Sequence, residues 1–448
     1  MEAIRERFIR RRSCGGIEKP DSHRRGYGTA KVLALGLIIL LLGPLAITEP
    51  AAAKGHLSFH KIKVMTQNLY IGADIFAPLE GPIDELPLRV AETFAEVMQS
   101  NFPARAEAIA KIVARKRPDL IGLQEVFLLR QGPADFLVNL LVNAEDEVEN
   151  GDYLSILLEK LRDRGLHYYV AASVENTDVE LPMLVGFDGE GMPQFRDLRV
   201  TDHDVILARR GTVTFNEDSR HYETLLEFSF DLGGTELIVE AIRGYVAVDA
   251  RVRGELFHIV NTHLEGRGKD LLPPGDPMIP IVSSLQAAQA QELIESLAYE
   301  PLPVIVLGDL NSDPGDPIIP ESETGLGFPI VPPYKQFVLS GYRDIWLTNL
   351  FGLWKDDIEG PTCCQDENLQ NVESALSERI DFVFVRNTLG SLPFSVVGPV
   401  FAVVVGDEEH DKTDTDPPLW PSDHGGVAAT MFIPTLKGRP YWAGPKSK

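Results

Sequence analysis

A mixed α/β fold is what the 448-residue sequence predicts. Helical spacing alternates with short apolar runs early in the chain and strand-like runs dominate later, so a mixed sheet or sandwich fits better than a purely parallel sheet. The composition, 44% hydrophobic and 24% charged, is that of a globular chain able to bury a sizeable core. No repeat or composition shift divides the chain after its N-terminal segment, which gives one domain over 54–435 and a tail over 436–448.

The elements follow in order. "IKVMTQNLY" (62–70) is an opening strand that turns polar at Gln67 and Asn68. "LRVAETFAEVMQSN" and "ARAEAIAKIVARKRP" space their apolar residues as helices, the second stopped by Pro118. "DLIGLQEV" (119–126) is a buried strand with Glu125 at its far end, and "DYLSILLEKLRDRGLHYYVAASV" is a helix ended by Gly165 and then a strand. The stretch from "VELPML" to "DVILARR" holds a Gly-rich loop and a strand. Further strands are expected at "ELIVEAIRGYVAVDARV", "LFHIVNTHLE", "PVIVLGDLN", "RIDFVFVR" and "GGVAATMFI", with the helix "SSLQAAQAQELIESLAYE" among them. In "VIVLGDLNSDPGD" Gly308 gives the chain room to turn after its apolar run. Segments 265–282 and 312–336 are Gly- and Pro-rich loops expected to lie over a site.

The N-terminus carries a leader. Arg-rich residues precede the apolar block "VLALGLIILLLGPLAI" (32–47), and Ala51-x-Ala53 offers a processing site. The segment 1–53 is expected to be a secretory signal peptide, cleaved or retained as a membrane anchor. The product is then secreted or extracytoplasmic. The triplet Arg10, Arg11, Arg12 is only a weak twin-arginine signal because the apolar block does not follow it directly. Residues 1–53 hold nine Lys and Arg against five Asp and Glu, so their removal takes the net charge from −24 to −28. Such a field repels polyanions at long range and disfavours a tight nucleic-acid binder. With Cys14 in the leader, Cys363 and Cys364 remain. The expectation is a pair of reduced or buried thiols, with a vicinal disulfide the less favoured alternative.

Polar residues recur at strand ends: Asn68, Glu125, Asn261 with His263, Asp309 with Asn311, Asp381, and Asp423 with His424 in "PSDHGGVA". Each has a structural explanation when taken singly, such as a turn cap or a solvated strand end. Together they form a set of hard oxygen donors with two histidines, which suits Mg²⁺ or Mn²⁺.

In this order "MTQNLY", "LIGLQEV", "VNTHLE", "VLGDLNSDP", "ERIDFVFV" and "PSDHGGV" resemble the endonuclease/exonuclease/phosphatase superfamily, the metal-dependent phosphohydrolases that include deoxyribonuclease I and bacterial sphingomyelinases. The resemblance implies a four-layer αββα sandwich with its site at one edge. It also implies that Glu125 is the principal Mg²⁺ ligand, with Asn68 beside it on the metal or its water. Asp309 and Asn311 match the pair that positions the attacking water and the scissile phosphate, Asp309 also touching any second metal. His424 matches the histidine at the reacting phosphate, Asp381 the carboxylate that orients it, and Asp423 a further metal-side ligand. His263 stands where the family contacts the phosphate and assists the leaving oxygen. Whether His424 or Asp309 takes the proton from water is left open.

The resemblance thus implies a monomeric phosphodiesterase or phosphomonoesterase, with a phospholipid head group, a nucleic acid or a small phosphoester as substrate. The histidine of "VNTHLE" and the "QAAQAQEL" helix look more like the sphingomyelinase branch than the abasic-site branch, which makes a membrane surface a candidate partner. "LLPPGDPMIPIV" (271–282) is the only stretch that suggests an apolar membrane-inserting element. Arg243, Tyr245, Arg267 and Lys269 are candidates to bind a phosphate or head group. The alternative is a non-catalytic extracellular binding protein on the same fold.

Overall fold

Strand β1 (His56–Asn68) buries Ile62 and Val64 on one face and Met65 on the other, and only a strand covered on both sides can do this. The computed structural model describes residues 56–79, 81–135, 142–231, 236–349, 359–387 and 398–437. The segment 1–53 expected to be a leader, with Cys14 and the arginine triplet, and nearly all of the tail lie outside the described residues.

Two helices follow β1, α1 (Leu86–Gln99) and α2 (Phe102–Lys116). Asn101 caps α2 by accepting from the Ala104 N–H, and Arg117 ends it in a left-handed conformation before Pro118. Then come β2 (Leu120–Gln124), β3 (Leu128–Pro133), β4 (Asp146–Asp152) and α3 (Tyr153–Asp163). A long hairpin, β5 (Tyr168–Phe187) and β6 (Pro193–Arg209), leads to β7 (Val213–His221) and the small pair β8 (Leu226–Asp231) and β9 (Glu236–Ala241). The second half is β10 (Gly244–Val252), β11 (Glu255–His263), α4 (Ile279–Ser296), β12 (Val304–Asp309), α5 (Pro333–Leu339), β13 (Arg343–Asp344), β14 (Asp381–Arg386), β15 (Val400–Val405) and β16 (Gly426–Lys437).

These strands form two mixed sheets. One runs β15-β16-β1-β2-β6-β3-β4, with β5 also on β6, and the other runs β13-β14-β12-β11-β10-β7. Their inner faces share one core, in which Ile62, Val64, Leu120 and Ile206 meet Val248, Phe257, Ile305 and Val383. Residues of α2 and α3, including Ile109 and Leu157, pack on the outer face of the first sheet, and Leu293 of α4 and Phe337 of α5 cover the second. The layers are therefore helix, sheet, sheet, helix, as the αββα expectation required.

Several local expectations change. The run 236–252 is two strands, β9 paired with β8 and β10 set between β7 and β11; at the start of β10 Gly244 lies so close to β7 that an added Cβ would be 2.4 Å from the Arg220 carbonyl oxygen. Gly308 is not a turn; it lies within β12, where a Cβ would meet the Thr262 carbonyl oxygen at 2.2 Å. Segment 271–282 forms no hairpin, and its C-terminal end starts α4 with Val282 buried. The exposed apolar hairpin is instead β5–β6. Its end presents Val185, Phe187, Met192 and Phe195, with Phe187 67% exposed. Because β6 residues 205–208 pair with β2 and the hairpin continues beyond them, this tip projects past the sheet edge that bears Glu125. Among the described residues, no helix is long and apolar enough to cross a membrane.

A polar bridge crosses the otherwise apolar seam between the sheets. Asn261 of β11 donates from Nδ2 to the carbonyls of Leu123 (2.8 Å) and Val205 (3.3 Å), and its Oδ1 accepts from Gln124 Nε2 at 2.5 Å. Gly122 makes room for it, since a Cβ there would lie 2.4 Å from Asn261 Oδ1. Asn261 is therefore a structural residue, fully buried. Asn261→Ala leaves Gln124 without this acceptor, and a loss of about 2 kcal/mol of unfolding free energy is expected in urea titrations; an unchanged midpoint would contradict the bridging role.

Candidate active site

Strand direction brings the polar residues to one edge. β1 and β2 are parallel, as are β11 and β12, so Asn68, Glu125, His263 and Asp309 all follow from strands that end on the same side. β14 is antiparallel to β12 and starts with Asp381 opposite Asp309. β16 is antiparallel to β1, which delivers Asp423 and His424 to the same edge just before its first residue. Two residues there have left-handed backbones, Glu125 (φ 55°) and Asn311 (φ 48°). For a glutamate this conformation costs about 1 kcal/mol or more, and at Glu125 it redirects the chain directly after β2.

Asn68 Nδ2 donates to Glu125 Oε1 at 2.9 Å and to Asp309 Oδ2 at 3.2 Å, while its Oδ1 accepts from the Tyr70 N–H. It thus presents nitrogen to the two carboxylates and holds them together across the seam. His424 Nδ1 lies 2.9 Å from Asp381 Oδ2 and 3.7 Å from Asp309 Oδ2, and its Nε2 lies 3.9 Å from Asp423 Oδ1. Asn311 donates its backbone N–H to Asp309 Oδ1 at 2.8 Å and its Nδ2 to the Leu264 carbonyl, with Nδ2 also 3.1 Å from His263 Nε2. Every residue anticipated as catalytic or metal-binding is therefore at this edge.

The electrostatics are set by burial. Glu125 is pushed up to about 7 by desolvation and then by the Asp423 charge, and Asp309 rises to about 7 through desolvation and Asp381. For His424, burial disfavours the imidazolium, but Asp381, Asp423 and Asp309 outweigh it and raise the ring well above its ordinary range. His263 moves the other way, well below its ordinary value, through burial and then the Arg243 and His424 charges.

Other positions fall elsewhere. Tyr245 is a buried core residue 5.9 Å from the Tyr222 ring. Arg267 pairs with Asp270, Asp316 and Glu378, and Lys269 with Asp316 and Glu378, so these cations brace the loops rather than the site. Arg243 alone of the four reaches the site, 3.0 Å from His263 Nδ1. Cys363 and Cys364 form a vicinal disulfide rather than free thiols. Their segment is part of the scaffold: Cys363 forms a β-bridge with His424, and Thr362 Oγ1 accepts from the Asp381 N–H.

The motifs did not single out Arg105. Fully buried on α2, it donates to the carbonyls of Leu69, Tyr70 and Pro421, tying the chain after β1 to the chain before β16. The available signal was an arginine within an apolar helical run. Ser422 and Gln67 add further ties: Ser422 Oγ donates to the Asn68 carbonyl and Gln67 Nε2 to that of His424.

A hard divalent cation fits this donor set. Carboxylates of Glu125, Asp309 and Asp423 converge, and Asp381 Oδ1 is buried with no hydrogen-bond partner. Ligand atoms of Asp309, Asp381 and His424 lie within 4.8 Å of one another. Without a cation, Glu125 and Asp309 bind protons more tightly in the fold than in the unfolded chain. Their contribution to stability is full below about pH 4 and is lost as pH rises to about 7. Urea unfolding in EDTA is therefore expected to show a steeper decline between pH 4.5 and 7 in the native chain than in Glu125→Gln; equal slopes would contradict the raised carboxyl.

Residues 98–424 match the Endonuclease/Exonuclease/phosphatase family. No curated protein matches. Similar solved structures include truncated TDP2 from Caenorhabditis elegans, 15% identical over 83% of this chain and 98% of that one with TM-score 0.41. A Beutenbergia cavernae endonuclease/exonuclease/phosphatase is 19% identical over 85% and 73%, with TM-score 0.45. A mannosyl-6-phosphatase from Bacteroides thetaiotaomicron is 18% identical over 83% and 99%, with TM-score 0.43. With the family match spanning most of its length, the chain belongs to the endonuclease/exonuclease/phosphatase family, whose members are typically divalent-metal dependent, and it is a phosphoric ester hydrolase.

Proposed function

We propose that the chain is an exported Mg²⁺-dependent phosphodiesterase, with Mn²⁺ as the alternative ion. The observation that carries this reading is the Asp381–His424 pair at 2.9 Å, set beside Asp309 and within reach of Glu125. Glu125, Asp309 and Asp423 would hold the cation, which supplies charge neutralisation at the phosphate oxygens.

The remaining chemistry belongs to the side chains. Asp309, held by Asn68 at Oδ2 and by the Asn311 N–H at Oδ1, is placed to take the proton from water as its oxygen attacks phosphorus in line with the leaving oxygen. His424, oriented by Asp381 at Nδ1, presents Nε2 on the Asp423 side as a donor to a phosphoryl oxygen as negative charge builds there. Asn311, anchored on Asp309 and Leu264, fixes the loop beside them.

For the substrate, the net charge of −24 disfavours a polyanion, and the exposed apolar tip of β5–β6 favours an amphiphile. The proposed substrate is a phospholipid head group at a membrane surface. The leader is consistent with action outside the cytoplasm.

Purified chain is assayed with Mg²⁺ or EDTA on a soluble chromogenic phosphodiester, sphingomyelin vesicles and plasmid DNA. Hydrolysis is expected to need metal and to fall by about 10³-fold in Asp309→Ala and His424→Ala; retained activity in both would overturn the mechanism. Phe187→Asp is expected to slow vesicle hydrolysis about tenfold and leave the soluble diester unchanged. Faster hydrolysis of DNA than of vesicles would overturn the lipid assignment.

A further inference from the structure

Away from the catalytic edge, the root of the β5–β6 hairpin buries a second group of acids. Glu180 of β5 and Asp197 of β6 are 0% and 1% exposed, and one carboxylate oxygen from each lies within 4.8 Å of the other and of one from Asp135, just past β3. β6 itself separates this group from the catalytic edge. The His203 carbonyl accepts from the Val126 N–H beside Glu125, and Asp197 stands six residues away along the strand, roughly 20 Å at the ordinary strand rise.

The strand ladder explains the convergence. Asp197 is opposite Gly132 of β3 on one side and Pro182 of β5 on the other, two residues from Glu180. An added Cβ on Gly132 would lie 2.8 Å from Ala144 Cα, so the chain entering β4 lies directly against β3 there. This brings the Asn143 and Ala144 N–H groups to Glu180 Oε2, each at 2.8 Å, while the Asp135 N–H donates to Asp197 Oδ2 at 2.7 Å. Asn143 Nδ2 donates to both oxygens of Asp135, at 3.1 and 3.3 Å. Each carboxylate is thus oriented by neutral donors.

Neutral donors do not balance the charge. The arginines of these strands are committed to other acids, Arg130 and Arg199 to Glu145 and Asp178, and Arg196 to Asp146. Among the described residues, no lysine or arginine pairs with Asp135 or Glu180. Glu180 Oε1 is moreover buried with no hydrogen-bond partner. A fully buried carboxylate oxygen left in this way is costly, and a cation beside it removes the cost. The donor set is oxygen only. Ca²⁺ takes about six to eight oxygens in irregular geometry and accepts carboxylates through one oxygen or two, whereas Mg²⁺ demands a near-ideal octahedron.

We propose that Asp135, Glu180 and Asp197 form a second divalent-cation site, of the Ca²⁺ type, separate from the one at the catalytic edge. The ion ties the end of β3 to the root of the hairpin and so braces the strand pair that carries Phe187 and Met192. Its role is structural, and the site does not depend on the function proposed above.

The test is isothermal titration calorimetry with CaCl₂ on the EDTA-stripped chain, in buffer holding excess Mg²⁺ to fill the catalytic edge. The wild-type chain and Glu125→Gln are both expected to take up Ca²⁺ at about one per chain. Affinity is expected to fall at least about tenfold in Glu180→Gln and in Asp135→Asn. Ca²⁺ is also expected to raise the thermal unfolding midpoint of the wild-type chain and Glu125→Gln, and to raise it less in the other two. Unchanged affinity in the folded Glu180→Gln and Asp135→Asn chains overturns the proposal, as does no uptake by the wild-type chain. Loss of uptake in Glu125→Gln also overturns it, because the ion would then sit at the catalytic edge. Asp135 is only half-buried, so Asp135→Asn decides the matter where Glu180→Gln fails to fold.

Discussion

The site depends on one electrostatic constraint: more carboxylate is buried at the edge of the sandwich than local cations can balance. Glu125, Asp309, Asp381 and Asp423 converge on a single raised imidazole, His424. Arg105 stands behind Asp423 and Glu125, but its donors are taken up by backbone carbonyls. Burying unneutralised charge is costly, so such a cluster either takes up protons or takes up a cation. Carboxyls shifted to about 7 express the first response. A divalent cation is the second, and the one a phosphate hydrolase needs.

The seam between the sheets is what holds the cluster together. Asn68 comes from the first sheet and Asp309 from the second, yet a 3.2 Å hydrogen bond joins them. Asn261 and Gln124 make a second crossing one layer deeper. Relative sliding of the sheets would break both, so packing of the shared apolar core also fixes the distance between Glu125 and Asp309. Fold stability and site geometry are therefore coupled, in the sense that preorganised dipoles cost nothing at the moment of reaction.

Much of this was legible in the sequence because the informative residues are local. Apolar runs ending on Asn, Glu, His or Asp mark strand ends, and their order carried both the family resemblance and the layered fold. The pairs that make the chemistry specific were not legible. Arg243 and His263 are twenty residues apart, one in the turn before β10 and the other at the end of β11. Arg267 and Lys269 looked as suitable for a phosphate as Arg243 did, and only tertiary structure shows their pairing with Asp316 and Glu378. The β5–β6 hairpin escaped notice because its ladder has three register shifts and its apolar tip is divided by acidic and glycine residues. The vicinal disulfide is a matter of thiol geometry, which spacing does not encode.

The central claim is that the buried carboxylates form a divalent-cation site built around Glu125. The most direct measurement is Mn²⁺ binding by electron paramagnetic resonance, comparing the purified wild-type chain with Glu125→Gln at neutral pH. Tight binding by the wild-type chain, weakened at least about tenfold by the substitution, is the expected result. Equal affinity in the two folded proteins, or no binding to either, would contradict it.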